Sequence, residues 1–124
     1  MKILVADDNA DAREVLSDFL RAWGFDVTEA STGREAVILA SEWFPDLVLM
    51  DLCMPVMDGF AALREIREHS QITQVPVIAI TACAIHDVKQ KVLSAGFNGY
   101  FSKPLEFAAL RTHICHLLTT NAGQ

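Results

Sequence analysis

Five short apolar runs alternate along the chain with longer segments whose apolar residues recur at helical spacing. Runs rich in Val, Ile and Leu that are almost continuously apolar are typical of strands buried on both faces of a parallel sheet. The pattern predicts strands at residues 2–6, 26–30, 46–50, 75–80 and 99–101. The second run alternates more between apolar and polar residues, so we expect it at an edge of the sheet.

Helices are predicted in the intervals between these strands. The first carries an apolar stripe and is followed by Gly24, since glycine is favoured where a helix ends. The second begins at a capping-box sequence, residues 32–35, and ends before Pro45. The third covers 59–69, with a mixed-charge face we interpret as solvated, and the fourth covers 85–95. We expect the stripes of the first and fifth helices to be core: Val15, Leu16, Phe19, Leu20 and Trp23, and Phe107, Leu110, Ile114 and Leu117.

This β-α alternation, repeated five times, predicts parallel strands joined by right-handed crossovers. The fold class is therefore α/β, a single three-layer α/β/α domain with a five-stranded parallel sheet and five helices. The 124 residues suit one domain. We expect that domain to cover residues 1–118 and to be followed by a polar C-terminal tail, 119–124.

Charge and composition exclude several classes of protein. The formal net charge of −6 disfavours binding of nucleic acid by this domain. No apolar run approaches the roughly 20 residues that span a bilayer, and the first is too short for a signal peptide, so we expect no membrane association and a cytoplasmic location. The three cysteines, Cys53, Cys83 and Cys115, are odd in number and widely spaced, which predicts free thiols rather than a disulfide framework or a zinc motif.

Polar side chains follow four of the five predicted strands. Asp7 and Asp8 follow the first, Asp51 the third, Thr81 the fourth and Lys103 the fifth. Because the carboxyl ends of parallel strands share one edge of the sheet, we expect these groups to converge there.

Three close carboxylates repel one another, by about 4 kcal/mol per pair at 4 Å and an effective dielectric constant near 20. A proton or a cation must relieve this, and ligands that are all oxygen favour Mg²⁺, then Mn²⁺ or Ca²⁺. A divalent ion, an ammonium group and a hydroxyl suit a phosphoryl group, for which an aspartate can serve as nucleophile.

Each residue also has a plainer interpretation. Asp7 and Asp8 could cap the first helix, and Lys103 alone would be a solvated charge. His113 and His116 have a spacing that zinc sites use, but no further ligand lies near them in sequence. A lone buried Asp51 would be costly, and the convergence of all five strand-end groups favours a phosphoryl site.

These residues lie in segments that together resemble the receiver domains of bacterial two-component response regulators. The resemblance covers residues 1 to about 118. It rests on residues 3–9, 45–52, Met54-Pro55, 57–59, 76–82, Gly96 and 100–104.

The resemblance implies a flavodoxin-like sheet in the order 2-1-3-4-5 and a phosphoacceptor, Asp51, supplied by a histidine kinase or a histidine phosphotransfer protein. It implies that Asp8, Asp51 and the backbone carbonyl of Cys53 ligate Mg²⁺, with Asp7 acting through water. It further implies that Thr81 and Lys103 contact the phosphoryl oxygens, with a cis peptide bond at Lys103-Pro104.

The resemblance also implies a switch formed by Thr81 and Tyr100, although Tyr100 alone could be an ordinary half-buried strand aromatic. This switch would alter the surface of the fourth helix, fifth strand and fifth helix for a downstream protein partner or output domain. Such a domain acts as a monomer or as a phosphorylation-dependent dimer, and it catalyses only its own phosphorylation and dephosphorylation.

Cys53 and Cys83 stand where receiver side chains tune dephosphorylation, and thiols orient water poorly, so we expect slow self-dephosphorylation. Three alternatives stay open. The chain could be a receiver-fold docking module without phosphorylation. It could be an aspartate-nucleophile phosphatase, although Cys53 stands where a second aspartate is expected. It could be a flavodoxin-type binding module, although the acidic turn at 7–11 would repel a flavin phosphate.

Overall fold

Strands and helices alternate along the computed structural model of the chain, which describes residues 1–54, 57–69, 72–82 and 88–122. The strands are β1 (Lys2–Ala6), β2 (Asp26–Ala30), β3 (Leu47–Asp51), β4 (Val77–Thr81) and β5 (Gly99–Ser102). The helices are α1 (Ala10–Ala22), α2 (Gly33–Trp43), α3 (Gly59–Glu68), α4 (Val88–Ala95) and α5 (Phe107–Ala122). The predicted α/β alternation is confirmed, while the predicted start of the fourth helix lies outside the described residues.

All five strands are parallel and stand in the order β2-β1-β3-β4-β5. The implied order is confirmed, and β2 lies at an edge as its polar alternation predicted. The pairing sets Ala6 beside Met50 and Asp51 beside Ile80, so the carboxyl ends of β1, β3 and β4 lie level with one another. Residues that follow these strands are therefore brought to one rim.

The core lies on both faces of the sheet, because successive residues of a strand point to opposite sides. On one face Ile3, Val5, Leu49 and Ile78 pack with α1 and α5. On the other face Leu4, Val48, Met50 and Ala79 pack with α2, α3 and α4. This double burial explains why β1, β3 and β4 are continuously apolar.

The stripe predicted for the first helix is only partly buried. Leu16 and Leu20 are 3% and 0% exposed, but Val15 and Phe19 are 49% and 41% exposed, so their assignment to the core is wrong. The reason is that only a narrow face of α1 lies against the sheet. On one side of that face α1 packs against α5. There Phe19 stacks on Phe107 of α5 with ring centroids 4.0 Å apart.

Helix ends follow the sequence signals closely. Thr32 caps α2 through a hydrogen bond donated by the Glu35 N–H at 3.0 Å. Gly24 and Gly96 follow α1 and α4 with φ of 97° and 107°, a left-handed conformation that glycine adopts without a Cβ clash. The last helix, α5, continues to Ala122, into the segment predicted as a polar tail.

Candidate functional site

Three strand ends bring buried polar side chains to the same rim of the sheet. Asp7 directly follows β1, Asp51 is the last residue of β3, and Thr81 is the last residue of β4. Asp7, Asp51 and Thr81 are 4%, 6% and 0% exposed. Burying an ionised carboxylate costs free energy unless other groups compensate its charge. The contacts around Asp7 and Asp51 therefore determine which chemistry this rim can support.

Asp7, Asp8 and Asp51 form one carboxylate cluster. One oxygen of each lies within 4.8 Å of the others. The cluster is held by the backbone, since the Asn9 N–H donates to Asp7 Oδ1 at 2.9 Å and the Cys53 N–H donates to Asp51 Oδ1 at 3.0 Å. The convergence predicted from the strand ends is therefore present.

The helix cap beside this cluster is a different residue from those considered above. Asn9 is the N-cap of α1, and its side chain accepts a hydrogen bond from the Ala12 N–H at 3.0 Å. The interpretation of Asp7 and Asp8 as a capping pair is therefore wrong, which leaves both carboxylates for the rim. The sequence signal was Asn9 itself, a favoured N-cap residue type.

Lys103 reaches back over the sheet to these carboxylates. Its Nζ lies 2.7 Å from Asp7 Oδ2 and 3.4 Å from Asp51 Oδ2. Its own N–H donates to the Thr81 carbonyl oxygen at 2.9 Å, which fixes the start of the loop after β5. The following peptide bond, Lys103-Pro104, is cis, as the resemblance implied.

The charges of the site shift its titration. Burial raises the pKa of Asp51 above its ordinary 3.8, and the nearby Asp7 adds to that rise, while the Cys53 N–H and Lys103 only partly oppose it. Burial lowers the pKa of Lys103, but its hydrogen bond to Asp7 and the charges of Asp51 and Asp7 outweigh burial, so its pKa is raised. The site therefore favours the protonated form of Lys103 and makes ionisation of the Asp51 carboxylate less favourable than in water.

The donor atoms suit a hard divalent ion. All three clustered ligands are carboxylate oxygens, the type that Mg²⁺ prefers. Within the described part of the chain, this is the one place where three His, Cys, Asp or Glu side chains come within reach of a single ion. His113, which was considered above as a possible zinc ligand, contacts the backbone of Asn98. Its Nε2 lies 3.0 Å from the Asn98 carbonyl oxygen.

Cys53 lies at the opening of the site and is exposed. Its Sγ lies 4.0 Å from Thr81 Oγ1. Cys53 is bonded in a disulfide, so the expectation of three free thiols is wrong for this residue, while Cys115 is an exposed free thiol. Cys83 lies outside the described residues.

Tyr100 is half-buried in β5 and packs against the core on the side of α2, α3 and α4. Its neighbour Phe101 packs against the opposite face of the sheet. Tyr100 thus lies in β5, the edge strand next to β4, and β4 ends at Thr81. This is the edge of the sheet where the implied switch would operate.

Gly59 shapes the site in a way that the sequence did not reveal. A Cβ at this position would lie 2.6 Å from the carbonyl oxygen of Asp51, so glycine is what allows the start of α3 to approach β3 this closely. The Gly59 N–H donates to the Leu52 carbonyl oxygen at 3.1 Å. The available signal was a glycine directly after Asp58, which caps α3.

Residues 3–115 match the family model of the response regulator receiver domain. The chain belongs to this family. Its residues 3–115 carry the whole sheet except Lys2, the first residue of β1, and all the rim residues described above. The flavodoxin-like fold and the two-component assignment implied by the sequence are thereby confirmed.

Relatives of very different length share this domain. The polar-differentiation response regulator DivK of Brucella suis is 30% identical over 83% of this chain and 84% of its own length. The sensor protein EvgS of Escherichia coli is 38% identical over 94% of this chain, but the match spans only 10% of EvgS. The domain thus occurs in small regulators and in long sensor proteins.

A similar solved structure is the receiver domain of the sensor histidine kinase PA1611 from Pseudomonas aeruginosa. It is 36% identical, has a TM-score of 0.88, and the match covers 95% of this chain and 97% of that one. That structure has a magnesium ion coordinated in its active-site cleft.

Among the described residues, none of the helices combines the length and the hydropathy that a membrane-spanning segment requires.

Proposed function

We propose that this receiver domain accepts a phosphoryl group on Asp51 from a phosphohistidine of a histidine kinase or a histidine phosphotransfer protein. The observation that carries the proposal is the position of Lys103, whose Nζ lies within 2.7 Å of Asp7 and 3.4 Å of Asp51. A lysine among clustered carboxylates supplies positive charge where phosphoryl oxygens would gather, and the nearby buried Thr81 supplies a hydroxyl donor.

The chemistry is a transfer between two nucleophiles. A carboxylate oxygen of Asp51 attacks phosphorus, the P–N bond to the imidazole breaks, and the imidazole nitrogen takes up a proton. Lys103 and Thr81 contact the phosphoryl oxygens and balance their charge. The domain acts on itself and turns over no separate substrate, so we class it as a phosphoacceptor rather than an enzyme.

The residues for a metal are Asp8, Asp51 and the backbone carbonyl of Cys53, with Asp7 acting through water. A divalent ion held there would neutralise oxygen charge on the transferred group. The carboxylate cluster supports Mg²⁺, as does the magnesium ion in the cleft of the PA1611 receiver domain, and Mn²⁺ would bind the same donors.

Phosphorylation would be read out through Thr81 and Tyr100. We propose that Thr81 moves towards the phosphoryl group, that the Tyr100 ring turns inward, and that the surface of α4, β5 and α5 changes for a downstream protein partner or output domain. The lengths of DivK and EvgS support both a small regulator and a module of a longer protein as the setting for this step.

The first test is intact mass after incubation with acetyl phosphate under reducing conditions, with Mg²⁺ or with EDTA, for the wild type and Asp51→Asn. Asp26→Asn, on an exposed residue of β2, is the matched control. We expect one phosphoryl adduct on the wild type and the control with Mg²⁺, and none with EDTA or on Asp51→Asn.

No adduct under any condition, with beryllofluoride also failing to bind, would leave a docking module without phosphorylation. Rapid turnover of a phosphomonoester by the chain would favour the aspartate-nucleophile phosphatase. The proposed slow self-dephosphorylation is measured on the same adduct. An unchanged lifetime in the reduced Cys53→Asn, Cys83→Glu variant would contradict a role for these two positions in tuning it.

A further inference from the structure

The acidic segment that joins β1 to α1 is held by a side chain of α1. Arg13 Nη1 donates a hydrogen bond to the Asp7 carbonyl oxygen at 2.8 Å. The Arg13 side chain is only 20% exposed. Because the Asp7 carbonyl belongs to the planar peptide unit between Asp7 and Asp8, this contact restrains the backbone from which the Asp8 side chain extends.

Arg13 is in turn held by the neighbouring strand. Its Nε lies 3.0 Å from Oε1 of Glu29, which belongs to β2. The next residue of β2 is Ala30, whose carbonyl oxygen accepts a hydrogen bond from the Asp7 N–H at 3.0 Å. A guanidinium group presents its N–H donors in a rigid fork, so it can bridge two acceptors as Arg13 does here. Arg13 therefore joins the segment after β1 to β2.

Asp8 depends on this backbone more than the other two members of the carboxylate cluster. Asp7 and Asp51 are buried, and each accepts a backbone N–H through its Oδ1, at 2.9 and 3.0 Å. Asp8 is exposed, although one of its oxygens lies within 4.8 Å of the other two carboxylates. The place of the Asp8 carboxylate in the cluster is therefore set largely by the peptide unit that Arg13 restrains.

We propose that Arg13 is a positioning residue for the metal site, and that it holds the Asp8 carboxylate where Asp8 can share a divalent ion with Asp51. This inference rests on the proposed function, which assigns Mg²⁺ or Mn²⁺ to these carboxylates. Loss of a group that orients a metal ligand commonly weakens metal binding by about 10–100-fold. We expect the lower end of that range, because Arg13 acts on the backbone of one ligand.

The charge of Arg13 would by itself have the opposite effect. A cation beside the carboxylate cluster repels a divalent ion, so removal of its charge should strengthen metal binding if charge alone matters. If Arg13 positions Asp8, its removal should weaken metal binding. The direction of the change in the dissociation constant therefore distinguishes positioning from electrostatics.

The test measures binding of Mn²⁺ to the full chain from the electron paramagnetic resonance signal of the free ion. Binding at the cluster is identified as the part that Asp8→Asn removes. The matched control for Arg13→Gln is Arg21→Gln, because Arg21 lies on the same helix and also contacts Glu29, at 3.5 Å. We expect Arg13→Gln to raise the dissociation constant about tenfold and Arg21→Gln to change it by less than about twofold.

A conservative variant keeps the test valid if Arg13→Gln does not give a folded chain by circular dichroism. Arg13→Lys retains the charge but offers its donors from a single nitrogen, so we expect a dissociation constant between those of the wild type and Arg13→Gln. A wild-type or lower dissociation constant in the folded Arg13 variants would overturn this inference alone. A wild type that binds no Mn²⁺ at the cluster would overturn the proposed metal site and this inference with it.

A second measurement separates metal positioning from a general loss of structure. Labelling by acetyl phosphate is followed as the Mg²⁺ concentration is raised. We expect Arg13→Gln to need about tenfold more Mg²⁺ for half-maximal labelling and to reach a maximal rate within about twofold of the wild type. An unchanged half-saturating concentration with a lower maximal rate would overturn the inference. A wild type that takes no label would instead overturn the proposed phosphoacceptor, while the Mn²⁺ measurement would still decide the role of Arg13.

Discussion

At the scale of single residues, the Asp51 carboxylate lies in an electrostatically unfavourable environment. Asp51 is buried beside Asp7, and its pKa is raised by burial first and by Asp7 next. Its ionised form is therefore less favourable in the folded chain than in the unfolded chain. The folded protein carries this penalty at neutral pH because the proposed reaction needs an ionised acceptor.

The unfavourable environment of the ionised Asp51 carboxylate predicts that Asp51→Asn stabilises the metal-free protein. Asparagine keeps the shape of the side chain and removes its charge. We expect a gain on the order of 1 kcal/mol, or about 3–6 °C in Tm, measured by thermal unfolding in EDTA at pH 7.5. The pKa of Asp51 in the folded protein lies above its ordinary value of 3.8. The penalty for ionised Asp51 is therefore fully present at pH values above the raised pKa, and the stability gained by Asp51→Asn shrinks as the pH falls through that pKa towards 3.8.

The matched control for this substitution is Asp26→Asn, the same chemical change on an exposed residue. We expect it to move Tm by no more than about 2 °C at either pH. A Tm for Asp51→Asn equal to or below that of the wild type at pH 7.5 would show that the ionised carboxylate carries no net penalty.

At the scale of elements, helix α3 is placed by backbone contacts rather than by its apolar stripe alone. Gly59 lets its first turn approach the end of β3, where a Cβ would lie 2.6 Å from the Asp51 carbonyl oxygen and 2.9 Å from Leu52 Cα. At the other end, Arg67 donates hydrogen bonds to the Val75 and Gly96 carbonyl oxygens, so this part of the mixed-charge face is structural rather than solvated.

Gly59→Ala is predicted to destabilise the domain, although Gly-to-Ala changes in helices ordinarily stabilise. The reason is that the added methyl group meets backbone atoms, which cannot rotate away. We expect a loss of about 2–3 kcal/mol, or on the order of 10 °C in Tm by circular dichroism. An unchanged or higher Tm would mean that the start of α3 moves freely relative to β3.

At the scale of the whole molecule, α5 closes one face of the sheet. Its residues Leu110 and Ile114 are fully buried and Leu118 is 6% exposed, whereas Thr119 is exposed. The helix continues to Ala122, but the last of its buried residues in the described part of the chain is Leu118. The domain boundary at residue 118 therefore remains a prediction that can be tested by truncation.

A chain ending at Leu118 is predicted to fold with a Tm within about 3 °C of the full chain. A chain ending at His113 loses Ile114 and Leu118, each worth about 2–5 kcal/mol, which approaches the 5–15 kcal/mol total of an ordinary domain. We expect this shorter chain to be largely unfolded by circular dichroism. A cooperative unfolding transition in the chain that ends at His113 would place the domain boundary before residue 114. The absence of such a transition in the 118-residue chain would place the boundary after residue 118.

Much of this molecule could be predicted from its sequence because the relevant signals are local. The 2-residue and 3.6-residue periods mark strands and helices, and Thr32, Gly24 and Gly96 mark helix ends where the structure has them. The rim residues were also found from sequence, since parallel strands must end on one side and each polar residue follows a strand directly.

Only the tertiary structure decided how these groups meet. Lys103 contacts Asp7 across 96 positions of the chain, a distance that no local period encodes. The exposure of Val15 and Phe19, the close approach at Gly59 and the disulfide at Cys53 likewise depend on which elements become neighbours. Local sequence thus determined the kinds of elements and the chemistry at their ends, while long-range packing set the distances that make those ends a site.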